Sequence, residues 1–377
     1  MRIKILFLSH RTDIGGGELS LYDLISYLSE KNKIEPFIVL ADNGPLFEKF
    51  SKAGFNVITI HMPPLKKFNL ISALTIKNIM SKNSISIIHA NTTRSAMYAA
   101  AAKIFGYICF SKIRIVWHNR GTDKRSFLEY AVSLFSDKLI AISNAVKKGL
   151  TGAGINENKI DVIYNGLFLK PYKLENNIVG HTPDVPCNFV NNSGKKTVVG
   201  LIGRFTSEKG HKYLVEAADI IINKLGKKNI IFKLAGSDNF GKSIVDNLKK
   251  LILDRNLEKY FEFCGYVENI IEFINKNIDI VAIPSEREAF GRVVVESWIA
   301  GKPIIAFNVE GLAELIENGK NGILIQPENS DILAEKIIEL SENFELQKTL
   351  TGNGLKTAVD FDVKYSAGRI LNLWERL

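Results

Sequence analysis

Two glutamates eight residues apart are well suited to hold a substrate that carries hydroxyl groups. Glu288 lies in a charged turn after an apolar run, and Glu296 follows in a segment of helical periodicity. The change of pattern predicts a helix that begins near Phe290 or Gly291, with Glu288 before it and Glu296 about two turns inside it. Unpaired backbone N–H groups around Gly291 and Arg292 would then hold a phosphate.

The two carboxylates would reach whatever is attached to that phosphate. Ionised glutamate only accepts hydrogen bonds, so paired hydroxyl groups suit it, such as a ribose diol on one side and a hexose on the other. From these two residues alone, the alternative is an amphipathic helix that carries two solvated acids.

Two cations form a second candidate group. Arg204 and Lys209 stand five residues apart in the loop between a predicted strand, residues 197–203, and a predicted helix. Fixed positive charge in such a loop can clamp a diphosphate and stabilise it as a leaving group. The alternative is solvated surface charge.

Further candidates follow predicted strands in the first half of the chain. Gly15, Gly16 and Gly17 come after the first strand, where glycine lets the backbone approach a ligand closely. A tight turn is the alternative, and the run is not the GxGxxG pattern of a dinucleotide site. His118 ends another predicted strand, and there the alternative is a satisfied structural histidine.

These motifs together resemble the retaining glycosyltransferases of family 4, which have the GT-B fold. The resemblance rests on ExxFGxxxxE from Glu288 with its small-residue helix, on the GKP turn and Gly-x-x-Glu that follow, and on GRxxxxKG from Gly203. It covers nearly the whole chain and is strongest over residues 198–340. It predicts two Rossmann-like domains that face each other across a cleft.

The resemblance implies a role for each candidate. Glu288 would contact the transferred sugar, Glu296 the nucleotide ribose, Arg204 and Lys209 the diphosphate, and His118 the sugar near its reacting carbon. The other implied contacts with the nucleotide sugar are Gly16, Gly17, Gly203, Phe290, Gly291 and Arg292, with Tyr266 and Val267 near the base. The chain departs from the family at Asn119, where an Asp is frequent, and at Glu310, where a second Gly is usual.

The implied reaction moves a hexosyl or N-acetylhexosaminyl group from a nucleotide sugar, UDP-linked rather than GDP-linked, with retention of configuration. The acceptor would be a glycan or a polyprenyl-diphosphate-linked molecule in bacterial cell-surface polysaccharide synthesis, such as O-antigen or capsule. No cofactor and no metal are expected. Two alternatives stay open: a nucleotide-sugar 2-epimerase of the same fold, and a non-catalytic protein that binds sugar nucleotides.

The elements that must position these residues alternate along the chain. Short apolar runs, separated by segments of helical periodicity, predict parallel doubly wound sheets. We expect an acceptor-side domain over residues 1–175 and a nucleotide-sugar domain over 190–361, with a linker rich in Asn, Gly, Pro and Ser over 172–196. A terminal helix over 362–377 should cross back onto the first domain. Asp362 of the Asp-Phe-Asp sequence before it is expected to cap that helix rather than bind a metal.

One motif points elsewhere. Residues 236–243 satisfy GxxxxGK[ST] between a strand and a helix, as in a nucleotide triphosphatase. That class normally places the loop on an early strand and supplies a metal-binding Asp at another strand end. Here the neighbouring strand runs into the Glu288 turn instead, so a triphosphatase is not expected.

Charge is divided unevenly. Residues 1–180 hold 24 Lys and Arg against 13 Asp and Glu, a net +11, whereas the remainder holds 25 against 27, a net −2. The first half should therefore meet an anionic partner such as a membrane surface or a phosphate-linked acceptor.

Residues 65–83 could lie on a membrane, or form an ordinary helix on the sheet. No nucleic-acid-binding motif is present. With no apolar run near 18 residues and three scattered cysteines, we expect a cytoplasmic protein, peripheral on the membrane at most.

Overall fold

The computed structural model describes residues 2–108, 113–121, 127–169, 196–237 and 242–377. It has two compact units, one of Met1–Phe168 with Phe361–Leu377 and one of Leu169–Asp360. The predicted linker, apart from Lys196, lies outside the described residues. So do Cys109, Cys187 and the centre of the GxxxxGK[ST] sequence.

The first unit is a single parallel sheet with helices, in the strand order β3-β2-β1-β4-β5-β6-β7. Its strands are β1 (Ile3–Ser9), β2 (Ile34–Leu40), β3 (Val57–Thr59), β4 (Ile87–Ala90), β5 (Arg114–Asn119), β6 (Lys138–Ala141) and β7 (Ile160–Val162). Its helices are α1 (Gly16–Glu30), α2 (Pro45–Lys52), α3 (Leu70–Asn83), α4 (Thr93–Ile108), α5 (Phe127–Phe135), α6 (Asn144–Gly152) and α14 (Val363–Glu375).

The central strands of this sheet are apolar on both faces. Strand β1 buries Ile5, Leu6, Phe7 and Leu8 in succession, as expected where helices cover a parallel sheet on both sides. The register pairs Ile5 with Ile87 of β4, so the first and fourth strands are neighbours.

The terminal helix α14 belongs to this first unit, as predicted. It packs against α1 and buries Ile370 and Trp374 in the same apolar core as Phe7. Asp362 caps it, since its Oδ1 accepts the backbone N–H of Lys364 at 2.9 Å. The Asp-Phe-Asp sequence is therefore a helix cap, as the sequence predicted.

The second unit is another parallel sheet with helices, in the order β10-β9-β8-β11-β12-β13. Its strands are β8 (Thr197–Ile202), β9 (Ile230–Ala235), β10 (Phe261–Gly265), β11 (Ile280–Ile283), β12 (Ile304–Phe307) and β13 (Ile323–Ile325). Its helices are α7 (His211–Asp219), α8 (Lys242–Asp254), α9 (Ile270–Asn277), α10 (Arg292–Ile299), α11 (Glu310–Leu315), α12 (Ser330–Glu342) and α13 (Phe344–Ala358).

Both sheets therefore reverse their strand order next to their first strand, between β1 and β4 in one unit and between β8 and β11 in the other. Ligands of doubly wound sheets bind outside the carboxyl ends of the strands at this reversal. The prediction of two Rossmann-like domains is confirmed, and the reversals indicate where in each unit to look for a site.

None of the helices described is both long enough and apolar enough to cross a membrane.

Candidate active site

The loops after β8 and β11 meet at the strand reversal of the second unit. The backbone N–H of Glu286 donates to the carbonyl of Glu208 at 2.8 Å. Gly210 adopts φ +67°, and a Cβ there would lie 1.7 Å from the carbonyl oxygen of Pro284. Only glycine permits this approach, and it brings the predicted cationic loop against the Glu288 turn.

Within this contact, Lys209 and Glu288 form an ion pair, with Lys209 Nζ donating to Glu288 Oε2. The two side chains are 21% and 16% exposed, so the pair is largely shielded from solvent but not fully buried. The structure thus joins two residues, 79 positions apart, that the sequence predicted separately for the diphosphate and the sugar. Their charges compensate each other.

A second carboxylate in the same turn has a structural role. Glu286 accepts a hydrogen bond from the Tyr213 hydroxyl at 2.9 Å and pairs with Lys212 at 2.9 Å. The hydrogen bond from Lys212 lowers the pKa of Glu286. Helix α7 thereby holds the turn from which Glu288 projects.

Helix α10 begins at Arg292, with Gly291 as its N-terminal cap at φ +92°. Glu296 lies about one turn inside this helix rather than the predicted two, because the helix begins one or two residues later than expected. Arg292 Nε donates to Glu296 Oε1 at 2.7 Å, and Glu296 is only 4% exposed. Phe290 is buried, so any contact it makes with a ligand would come from its backbone.

Glu310 takes an unusual backbone conformation at the start of α11. Its φ is +31°, a region that glycine adopts easily and other residues adopt at a cost. Its Oε2 accepts the backbone N–H of Glu288 at 3.2 Å, and the next residue, Gly311, donates its N–H to the Glu288 carbonyl at 2.9 Å. The family's usual glycine is therefore replaced by a side chain that holds the Glu288 backbone.

The remaining candidates of the second unit stand at neighbouring strand ends. Gly203 donates its N–H to Ala235 at 2.9 Å, and Arg204 follows it directly. Tyr266, which is 54% exposed, and the half-buried Val267 directly follow β10. Strand β10 is separated from β8 by β9 in the sheet. Their assignment to the diphosphate and the base stays a prediction.

In the first unit, His118 lies near the end of β5 and faces another histidine. His89 Nε2, on β4, is 3.1 Å from His118 Nδ1, and both rings are buried. Burial and the neighbouring Arg120 lower the pKa of His89 to about 3 and the pKa of His118 well below its ordinary value. Both imidazoles are therefore neutral at physiological pH.

Arg120 connects the strand ends around this pair. Its Nε donates to Asn91 Oδ1 at 2.6 Å after β4, and its Nη1 donates to Asn165 Oδ1 after β7. A Cβ on Gly17 would lie 2.9 Å from Arg120 Cδ, so the absence of a side chain there leaves room for the arginine. Gly16 is the first residue of α1, and the glycine-rich loop and His118 thus lie around one guanidinium.

Three residues of these sites were not predicted as functional: His89, Arg120 and Glu310. Arg120 had a visible signal, since a cation two residues after a strand-end histidine can reach that histidine. Glu310 had another, because a bulky acid at a usual glycine position implies either strain or a contact. For His89 the sequence showed only that it lies near the end of a predicted strand, which did not indicate a functional role.

Two doubly wound parallel sheets in one chain, each with a candidate site at its strand reversal, are the architecture of the GT-B fold. Residues 14–169 match the family described as "Glycosyltransferase Family 4", and residues 188–357 match "Glycosyl transferases group 1". The chain belongs to this family of glycosyltransferases.

Individual proteins agree with this assignment. An uncharacterized glycosyltransferase of Methanocaldococcus jannaschii, MJ1178, is 30% identical over 85% of this chain and 86% of its own. The capsular polysaccharide biosynthesis glycosyltransferase CapM of Staphylococcus aureus is 27% identical over 94% and 90%. The Campylobacter jejuni enzyme named N,N'-diacetylbacillosaminyl-diphospho-undecaprenol alpha-1,3-N-acetylgalactosaminyltransferase is 26% identical over 87% and 85%.

Among solved structures, Anabaena HepE in complex with UDP-glucose superposes with a TM-score of 0.83. It is 25% identical, and all of both chains is covered.

Proposed function

We propose that this glycosyltransferase transfers a hexosyl or N-acetylhexosaminyl group from a UDP-sugar, with retention of configuration and without a metal ion. The observation that carries the proposal is the Lys209–Glu288 pair at the strand reversal of the second unit. It offers a cation for a diphosphate and an acceptor for a sugar hydroxyl in adjacent positions. The complex of HepE with UDP-glucose supports a UDP-sugar as the donor substrate.

In this proposal each residue has one task. Arg204 and Lys209 stabilise the negative charge that develops on the departing diphosphate, and Glu288 holds the sugar. Glu296 accepts the ribose hydroxyls, with Arg292 fixing its orientation. His118 donates a hydrogen bond to the transferred sugar, and a phosphate oxygen of the leaving group assists deprotonation of the acceptor.

For the acceptor we propose a glycan or a polyprenyl-diphosphate-linked molecule of cell-surface polysaccharide synthesis. The names of the capsular and the diphospho-undecaprenol-dependent relatives support this class. Burial, followed by the nearby charges of Arg94 and Arg11, lowers the pKa of His10 to about 3. These two cations near the glycine-rich loop also fit a phosphorylated acceptor.

An exposed surface of the first unit supports membrane contact. Leu65, Leu70 and Ile71 are more than half exposed, and Ile71 reaches 72%. Helix α3 packs inward through other side chains, including Ala73 and Ile76. The helix thus buries Ile76 on one side but leaves Leu70 and Ile71 exposed to solvent.

Lysines accompany this apolar surface. Lys66 and Lys67 are exposed beside Leu65, and Lys77 is half-buried on α3. Helix α4 packs against both α3 and α5, and α5 exposes Phe127 and Leu134. Apolar side chains flanked by lysines are the combination that binds an anionic lipid surface. We therefore propose that the enzyme is peripheral on the cytoplasmic face of the membrane.

Reversal of Lys66, Lys67 and Lys77 to Glu is expected to abolish most of the binding to anionic vesicles, because each lysine near such a surface contributes roughly 1 kcal/mol. Wild-type binding should weaken as salt rises, since the Debye length falls from about 10 Å at 0.1 M to about 3 Å at 1 M. Co-sedimentation with anionic and neutral vesicles measures both effects.

The matched control reverses three exposed lysines of the second unit, Lys250, Lys259 and Lys356, which changes the net charge by the same amount. This control should bind as the wild type does. Equal binding of the wild type to neutral vesicles, or equal loss in both triple variants, would show that Lys66, Lys67 and Lys77 do not attach the enzyme to an anionic surface. UDP-sugar hydrolysis should be unchanged in either variant.

The reaction class is tested by incubating the enzyme with labelled UDP-, GDP- and ADP-sugars, with and without a glycan acceptor. Transfer or slow hydrolysis of a UDP-sugar is expected. Isomerised nucleotide sugar would instead identify a 2-epimerase, and binding without turnover would identify a non-catalytic protein.

Activity is expected to survive chelation, because lysine and arginine, rather than a divalent ion, balance the leaving diphosphate in this proposal. Transfer rates with and without EDTA provide the measurement. Loss of activity in EDTA that Mg²⁺ or Mn²⁺ restores would remove the stabilising role from Arg204 and Lys209.

A further inference from the structure

Three nitrogen-bearing side chains converge at the ends of β4 and β5. His118 Nδ1 is 3.1 Å from His89 Nε2 and 3.3 Å from Arg120 Nη2. The two neighbours therefore approach the same nitrogen of the same ring, which limits where the proton of that ring can be.

The guanidinium of arginine carries only donors, and a neutral imidazole carries one N–H and one acceptor nitrogen. A proton on His118 Nδ1 would point at the Arg120 donor, with positive charge facing positive charge. A lone pair on Nδ1 instead accepts from Arg120 and from His89 Nε2–H. The contact thus favours a neutral His118 with its proton on Nε2 and a neutral His89 with its proton also on Nε2.

Neither neighbour can rotate away easily. Arg120 is held by Asn91 and Asn165 at two other nitrogens, and its stem lies against Gly17. His89 lies among aromatic rings, with its centroid 5.5 Å from that of Phe7 and 5.4 Å from that of Trp374. Residues of β1, α1 and α14 and residues that follow β4 and β7 therefore hold the two neighbours of His118 in place.

We propose that Arg120 and His89 are positioning residues that fix His118 in the Nε2–H tautomer and so make it a permanent hydrogen-bond donor toward a substrate oxygen. His118 Nε2 is buried and has no hydrogen-bond partner among the described residues. An unsatisfied buried donor is costly, and an oxygen of the sugar or acceptor would satisfy it. The direction of the shifted pKa agrees, since the ring stays neutral.

This inference rests on the proposed function in one respect, namely that the oxygen belongs to a glycosyl substrate. It adds a restriction that the function alone does not contain. Because Nε2 already holds a proton and Nδ1 is engaged by two donors, His118 cannot act as the base that deprotonates the acceptor. Deprotonation must come from another group, such as the leaving phosphate.

The tautomer is measured on protein labelled with ¹⁵N at its six histidines, by long-range ¹H–¹⁵N correlation in the absence of substrate. Spectra of His118→Gln and His89→Gln assign the two rings. For His118 the wild type should show a pyrrole-type Nε2, which carries the proton, and a pyridine-type Nδ1, which does not. Both signals should stay unchanged from about pH 6 to about pH 8, where a free histidine titrates. A proton on Nδ1, or a titrating ring, would overturn the proposal.

Arg120→Met removes the donors and keeps the length of the side chain. In this variant the ¹⁵N chemical shifts of the two His118 ring nitrogens should move toward each other, because the ring is no longer held in one orientation. Its kcat should fall about tenfold to a hundredfold, since small displacements of a positioned group can cost on the order of 100-fold. The donor KM should change little. An unchanged His118 spectrum in Arg120→Met would show that Arg120 does not fix the tautomer of His118.

Arg114→Met is the matched control, because Arg114 lies at the other end of β5 and pairs with Asp137 at 2.8 Å. It loses an ion pair of the same unit without touching His118, so kcat and the His118 spectrum should stay as in the wild type. Equal losses of kcat in both variants would indicate general destabilisation and overturn the positioning role. The spectrum of the wild type does not depend on turnover, so failure of the proposed function would leave the tautomer measurement intact.

Discussion

Glu288→Ala is expected to lower kcat/KM for glycosyl transfer by about 100-fold or more, the usual cost of losing one key polar contact in a transition state. Glu288 stands in a turn outside the apolar core of the second unit, so the fold should remain intact. The measurement is a steady-state transfer assay with a UDP-sugar, together with thermal unfolding of both proteins.

The matched control is Glu262→Ala. Glu262 pairs with Lys233 at 3.1 Å on β10 and β9, so this variant also removes the carboxylate of an ion pair in the second unit. It should retain wild-type activity. If Glu288→Ala keeps more than about a tenth of the wild-type kcat/KM, where a 100-fold loss is expected, the sugar contact belongs to another residue.

Much of the fold could be predicted because the buried strands are continuous apolar runs. Strands β1, β8 and β11 are of this kind, and residues of helical period follow each of them. Strands β12 and β13 were not predicted, although β12 is a buried apolar run of the same four-residue length as β11. The start of α10 was predicted to within two residues, because the glycine before it is a usual stop between strand and helix.

The pairing within the sites could not be predicted in the same way. Lys209 and Glu288 meet because β8 and β11 are neighbours and Gly210 permits a close approach, and neither fact is visible in residue spacing. The same holds for Arg120, whose partners lie after β4, within β5 and after β7. Residue types indicated which groups could bind a nucleotide sugar, whereas the charge balance between them depends on strand order.

That charge balance distinguishes the roles of the two partners. In the structure Lys209 is engaged by Glu288, so part of its positive charge is unavailable to a diphosphate. If UDP binds with its diphosphate against Lys209, as proposed, it must draw Lys209 partly away from Glu288 or share it between two anions. A sugar on the diphosphate compensates Glu288 by offering hydroxyl groups to the carboxylate.

Lys209→Met is accordingly expected to lower kcat by about 100-fold to 1,000-fold, as for loss of one group that stabilises charge in the transition state. It should also weaken UDP binding by about tenfold to a hundredfold, because a hydrogen bond to a charged group contributes roughly 1.5–3 kcal/mol. Lys233→Met, which breaks the Lys233–Glu262 ion pair between β9 and β10, is the control and should leave both kcat and UDP binding unchanged.

UDP without a sugar separates the partners most sharply. Lys209→Met should weaken UDP binding, whereas Glu288→Ala should leave it unchanged or tighten it, since the freed lysine then faces the diphosphate alone. Combining the two should cost less transfer activity than the product of the single losses, because the residues are in contact and their effects are coupled. Calorimetry with UDP and a double-mutant cycle in the transfer assay provide these numbers. Weaker UDP binding in Glu288→Ala would mean that the pair acts as a structural unit, and that Lys209 needs its carboxylate to stay in place.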